Sequence, residues 1–168
     1  MNRVVLICFL VLMPFLAFAD GKVNGIDGTV SIASLQSGDI SVSCGNETIY
    51  LSASQRDVFI DSLKKHYDLL NTLATEKVSV KSTRYTGTYT VGLTSKFGFW
   101  VYVNSYKDNP GIIVLELNGH NSTVAFDATT LSAFIKELEN TKTIADGYLE
   151  QSKKVDELIE KLRKEMRE

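Results

Sequence analysis

The chain has 168 residues, enough for one compact domain with an appendage but too few for two full-size domains. With 44% hydrophobic and 23% charged residues it has the composition of an ordinary globular protein, which excludes wholesale disorder. The formal net charge of −2 argues against a general nucleic-acid-binding protein.

The N-terminus has the three parts of a secretory signal peptide: a basic residue, Arg3, the apolar residues 4–16, and a small-x-small site at 17–19. We therefore predict that residues 1–19 are a signal peptide and that the protein is secreted or periplasmic. An uncleaved anchor is the alternative, but the apolar run is shorter than the roughly 20 residues that span a bilayer. We expect no membrane span after cleavage.

The next segment alternates apolar and polar residues, which is typical of antiparallel strands. Strands are predicted at residues 29–32, 40–44 and 48–51. Gly45-Asn46 is the predicted turn between the last two. A helix follows, with Ser52 or Ser54 as its N-cap and Ser54 with Asp57 as a capping box. Its apolar residues recur at helical spacing to about Ala74.

The second half of the chain has the same order of strands followed by a helix. Strands are predicted at residues 78–80, 85–93, 97–103, 112–117 and 123–126. Asn109-Pro110-Gly111 and Asn118-Gly119 are the predicted turns. Asp127 or Thr129 is the predicted cap of the second helix, which continues towards the end of the chain.

The two halves align at an offset of 75 residues, where Phe59 matches Phe134 and Leu63 matches Leu138. We predict an α+β fold with an antiparallel sheet, two helices and a long C-terminal helix. A tandem hairpin–helix repeat is one interpretation; the other is that any hairpin followed by an amphipathic helix aligns in this way. The element order resembles that of the PUR and Whirly single-strand-binding folds, without any family motif. Single-stranded nucleic acid is an unexpected ligand for an acidic, exported chain.

The second helix is predicted to extend beyond its domain. We place an α+β domain at residues 20–146 and a C-terminal helical extension at residues 147–168. Apolar residues continue there with the alternating spacing of a coiled coil. The oligomerisation candidates are Val155, Ile159, Leu162 and Met166. Their stripe must be covered by the protein's own sheet or by a second chain, which would give a homo-oligomer.

Residues suited to catalysis are few, and no metal or cofactor is predicted. His66 and His120 are not at metal-ligand spacing, and both are expected at the surface or its boundary. Cys44 has the parity of the apolar residues in its strand, so we expect a buried thiol; an intermolecular disulfide is the alternative. Asn46 and Asn121 begin N-glycosylation patterns, which matter only in a eukaryotic protein.

An aromatic cluster is the best candidate for a ligand-binding surface. The strand at residues 97–103 is apolar on both faces, so it is either packed between two layers or presents an aromatic face to a ligand. Its candidates are Trp100 and Tyr102, together with Tyr85 and Tyr89, which alternation places on a single face of the preceding strand. The glycines between these aromatic residues are expected to leave flat room for a ligand.

These observations favour an exported, soluble, non-catalytic binding or assembly protein of the cell envelope or extracellular space. Its expected partner is a protein or an envelope ligand. Two alternatives stay open: an envelope hydrolase with an unidentified carboxylate or serine site, and an inhibitor of a secreted enzyme.

Overall fold

The computed structural model describes residues 18–106, 109–119 and 121–166. Within these residues, each half of the molecule is a four-stranded antiparallel sheet followed by one helix. The first half comprises β1 (Phe18–Asn24), β2 (Thr29–Ser34), β3 (Ile40–Cys44), β4 (Glu47–Leu51) and α1 (Ala53–Glu76). The second comprises β5 (Ser82–Val91), β6 (Ser95–Tyr106), β7 (Asn109–Leu117), β8 (Thr123–Phe126) and α2 (Ala128–Glu165). The predicted α+β fold with antiparallel sheet, two helices and a long C-terminal helix is confirmed.

Each helix packs mainly on the sheet of the other half. Helix α1 lies against β7, where a Cβ placed on Gly111 would be 3.0 Å from a methyl group of Leu70 and 2.9 Å from one of Leu73. Helix α2 lies against β1 and β2 and reaches the β2–β3 turn, where Leu149 packs over Gly38. The helices also pack on each other, so the inner faces of both sheets and the two helices form one hydrophobic core.

Strand β3 shows how the alternating pattern builds this core. Its side chains on the inner face are buried: Ile40, Val42 and Cys44. The hairpin to β4 turns at Gly45, whose φ of +58° is one that a residue with a side chain rarely adopts. The predicted burial of Cys44 is confirmed, and burial raises the pKa of its thiol.

Both helices begin with a reciprocal cap, in places 75 residues apart. In α1 the backbone N–H of Ser52 donates to the side-chain Oε1 of Gln55 at 3.0 Å. In α2 the backbone N–H of Thr130 donates to the carboxylate of Asp127 at 2.8 Å. The predicted capping box at Ser54 is therefore wrong, because the helix begins earlier. No described helix is both long and apolar enough to cross a membrane.

Three local predictions are corrected. Strand β1 was not expected; a bulge after Ala19 interrupts its register, so it shows no simple alternation. Residues 78–80 form no strand; their carbonyls at Val78 and Val80 accept from the side-chain Nδ2 of Asn104 and not from a neighbouring strand's backbone. Residues 109–111 begin strand β7 and do not form a turn.

Candidate binding face

The candidate site is the outer face of the second sheet, which points away from the helices. In the register of the sheet, Tyr85 lies opposite Trp100, and Thr83 lies opposite Tyr102. Residues that face each other in an antiparallel pair project to the same side of the sheet. Tyr85, Trp100 and Tyr102 therefore share one surface, which we call the aromatic face. The inner face of the same strands belongs to the core, where the Phe97 ring contacts the Phe59 ring of α1.

Tyr89 is not part of the aromatic face. A β-bulge between Tyr85 and Gly87 adds one residue, Thr86, to β5 and reverses the alternation beyond it. Tyr89 consequently lies opposite Phe97 on the inner side, and the two rings stack with centroids 4.9 Å apart. The prediction that Tyr85 and Tyr89 share a face is wrong, because strict alternation does not allow for the extra residue.

Tyr89 instead lines a separate cavity of about 390 Å³, which lies between the first turn of α1 and the end of β5. Its apolar lining includes Val58, Val91 and Phe97. The structure thus divides the four predicted ligand-binding residues between two places, with three on the aromatic face and Tyr89 in this cavity.

The space above Gly98 is filled by a side chain of the protein itself. A methyl group on Gly98 would lie 3.1 Å from Cζ of Tyr85, so the tyrosine ring covers the glycine. The phenol oxygen of Tyr85 is hydrogen-bonded to the hydroxyl of Thr88, and the Tyr85 ring contacts the Trp100 ring with centroids 4.7 Å apart. The expectation that Gly98 leaves flat room for a ligand is therefore wrong, because Tyr85 occupies that room.

Glu116 is a member of the face that the sequence did not indicate. The indole N–H of Trp100 donates to Oε2 of Glu116 at 2.9 Å, across strands β6 and β7. The Glu116 side chain is buried, with only 9% of its surface exposed, whereas Trp100 and Tyr102 are half-buried and Tyr85 is 43% exposed. The carboxylate fixes the orientation of the indole ring, part of whose surface stays accessible.

The polar residues that could carry chemistry have structural contacts. His66 is buried; its Nδ1–H donates to the Ser62 carbonyl at 2.7 Å, and its Nε2 lies 2.8 Å from the hydroxyl oxygen of Thr86. Burial lowers the pKa of His66. The prediction of a surface or boundary position is wrong for His66, and His120 lies outside the described residues. Among the residues that the structure describes, no group of His, Cys, Asp and Glu could hold a metal ion.

Three of the predicted oligomerisation residues, Val155, Ile159 and Leu162, lie on the part of α2 that follows Leu149, and Met166 comes directly after the helix. Val155 is 43% exposed, Leu162 44% and Met166 73%, while Ile159 is half-buried. The protein's own sheets do not cover these side chains, so that alternative is excluded for this part of the helix.

No protein-family model, curated protein or solved structure is significantly similar to this chain. The function of the aromatic face must therefore be inferred from its own side chains.

Proposed function

We propose that the protein is an exported, non-catalytic binding protein whose aromatic face binds a protein ligand. One observation carries this proposal. Strand β6 already supplies the core with Phe97 and Phe99 on its inner side, yet Trp100 of β6 and Tyr85 of β5 stay partly exposed on the outer side. Large aromatic side chains that the core does not use are typical of a contact surface.

The chemistry of the face favours a protein over other ligands. Tyrosine and tryptophan are enriched at the centres of protein interfaces, where they supply most of the binding energy. Trp100 is held by Glu116 and contacts the ring of Tyr85, so little side-chain freedom is lost when a ligand binds. The net charge of −2 supports the expectation that nucleic acid is not the ligand.

The N-terminal sequence supports export. Beyond the predicted cleavage site, Gly21 lies opposite Ile32 and Asn24 lies opposite Thr29, so the longer part of β1 stays paired when residues 1–19 are removed. The bulge between Ala19 and Gly21 coincides with the cleavage position. Intact-mass analysis of protein from its native compartment should give an N-terminus at Asp20; a species in the membrane fraction that retains Met1 would contradict export with cleavage.

The binding proposal is tested with the purified protein as bait for the envelope fraction, followed by affinity measurement on the partner recovered. Trp100→Ala should weaken binding by about 2 kcal/mol or more, roughly 30-fold, as expected for a central aromatic anchor. The matched control is Tyr50→Ala, which removes an exposed aromatic residue from the outer face of the first sheet. Its affinity should equal that of the wild type.

Circular dichroism spectra first establish that both variants are folded. If folded Trp100→Ala binds as tightly as the wild type, the aromatic face is not the binding surface. Loss of the partner's own enzymatic activity on binding would identify the protein as an inhibitor. Chemical alteration of the partner or of an envelope polymer by the bait would contradict a non-catalytic function.

A further inference from the structure

We propose that the free end of α2 binds the same segment of a second copy of this chain in antiparallel orientation. This inference does not depend on the aromatic face, because that face is formed by β5 and β6 and the segment is the C-terminal part of α2, from Glu150 onward. It specifies the register of the pair: Ile159 of each copy lies opposite Leu162 of the other, and Val155 lies opposite Met166.

The first argument is the continuity of one apolar stripe along α2. Four of its residues are fully buried against the protein's own sheets and first helix: Phe134, Leu138, Thr141 and Ala145. Contact with the rest of the domain persists to Leu149, which packs over the β2–β3 turn at Gly38. The same stripe continues at the same spacing through Val155 and Leu162, where it is exposed. Because the exposed half of the stripe has the same apolar character and spacing as the buried half, it is suited to burial against another helix.

The second argument is that the rest of the segment suits water and not a lipid surface. From Glu150 onward the chain has six acidic and six basic residues, so it has no net positive charge to attract anionic lipids. Lys154 Nζ lies 2.7 Å from Glu150 Oε1, an ion pair along the exposed side of the helix. The segment therefore has one apolar side and a solvated remainder, which is the pattern of a helix that pairs with another helix in water.

The third argument is charge complementarity, which selects the antiparallel arrangement. Asp156 and Arg163 flank the stripe on the same side, each directly after a stripe residue. In the proposed register the Asp156 of one copy and the Arg163 of the other lie only about 3 Å apart along the axis, at a rise of about 1.5 Å per residue. Symmetry forms this pair twice. Among the residues that the structure describes, Arg163 makes one long ion-pair contact, 3.8 Å from its Nη1 to Oε2 of Glu160 in its own helix, which leaves it available to a second copy.

The other arrangements lack this complementarity. In a parallel pair, the flank that carries Asp156 and Arg163 faces the opposite flank of the second copy, which presents Gln151 and Leu158 to them. In the antiparallel register shifted by one heptad, Asp156 meets Asp156 of the second copy, and two like charges repel. In the proposed register, by contrast, apolar residues pack against apolar residues, and each Asp156 lies near an Arg163 of opposite charge.

The experiment measures the dimer association constant of the whole protein by sedimentation equilibrium, from about 1 μM to about 1 mM, the range of a weak interface. Asp156→Arg and Arg163→Asp should each lower the constant at least about tenfold, because each places like charges together twice. The double exchange, Asp156→Arg with Arg163→Asp, should restore it. An equimolar mixture of the two single variants should form a heterodimer, since every pair then has opposite charges.

The matched control is Glu157→Arg, which makes the same change of charge on the neighbouring residue, away from the stripe. It should dimerise as the wild type does. A wild type that is monomeric at the highest concentration would overturn the proposal. So would single variants that dimerise unchanged, a double exchange that stays monomeric, or a control that dissociates as Asp156→Arg does. None of these results affects the binding of Trp100→Ala, so failure here is distinguishable from failure of the proposed function.

Discussion

The two sheets have the same strand order but differ in their outer faces. In the first sheet, Ser43 lies opposite both Ser31 and Thr48, and its hydroxyl is hydrogen-bonded to that of Thr48 at 2.9 Å. In the second sheet, the corresponding surface carries Tyr85 and Trp100. The inner faces do not differ in this way, since both supply apolar side chains to the common core.

This difference separates what the fold requires from what it tolerates. A sheet that packs on one side needs apolar side chains on that side only. The outer face of the first sheet carries small hydroxyl residues such as Ser31, Ser43 and Thr48, with Tyr50 on the edge strand β4 as its aromatic residue, so the fold does not depend on a cluster of large outer side chains. The aromatic face of the second sheet therefore has a different cause, and ligand binding is the one we propose.

The largest expected effect contrasts two neighbours on β6. Phe99 points inward, is fully buried and contacts the His66 ring at 4.3 Å between centroids. Phe99→Ala should lower the free energy of unfolding by about 3–5 kcal/mol, because it leaves a cavity in the core. Trp100→Ala should cost clearly less, since part of its surface is already in water. Urea unfolding followed by circular dichroism measures both; equal losses would show that the outer face is also core.

Much of the fold could be predicted because its signals are local. Strands β3 and β8 have the bounds that alternation and the flanking turns indicate, and the caps at Ser52 and Asp127 were among the predicted positions. The crossing of each helix to the other half's sheet could not be predicted, because it depends on packing between distant segments. Strand β1 could not be predicted, because a bulge interrupts its alternation of apolar and polar residues.

The candidate site was predictable only in part, for the same reason. Trp100 and Tyr102 lie two residues apart on one strand, so their common face follows from alternation alone. The reversal at Thr86 has no signal in the sequence, and it removed Tyr89 from the face. Glu116 comes beside Trp100 only through the register of β6 with β7. Contacts between residues on paired strands depend on the register of those strands, which the sequence alone does not reveal.

A second comparison concerns equivalent places in the two helices, where Arg56 of α1 matches Leu131 of α2 and both are buried. Arg56 Nη1 donates to the Gly38 carbonyl at 2.6 Å, and Nη2 is paired with Asp146 of α2. Asp146→Ala should lower the free energy of unfolding by about 1–3 kcal/mol, because a buried guanidinium loses its counter-charge. The value is moderate because Asp146 is half-exposed, so water can replace part of the contact.

Asp146→Asn is the matched control for this ion pair. The amide oxygen still accepts from the guanidinium, so urea unfolding should show a smaller loss than for Asp146→Ala. If the alanine variant unfolds within about 0.5 kcal/mol of the wild type, the pair does not join the two halves, and Arg56 is held by packing alone.

The smallest expected effect depends on pH and concerns His66, whose counterpart in α2 is the buried Thr141, a residue that does not titrate. Burial lowers the pKa of His66 below its ordinary value of 6.5, so the folded protein binds the proton less readily than the unfolded chain does. Stability is therefore unaffected by this group above about pH 6.5 and falls as the pH drops from there towards the lower folded pKa. Each unit of pKa depression contributes about 1.4 kcal/mol to that loss.

Urea unfolding at about pH 8 and about pH 5, compared with His66→Gln, separates the contribution of His66 from that of the other titrating groups. The wild type should lose more stability on acidification than the variant. An equal loss in both proteins would contradict a lowered pKa, because it would mean that His66 is protonated as readily in the folded protein as in the unfolded chain. The surroundings of His66, next to the bulge residue Thr86, would then be open to solvent, and His66 would not differ from Thr141 in its effect on the pH dependence of stability.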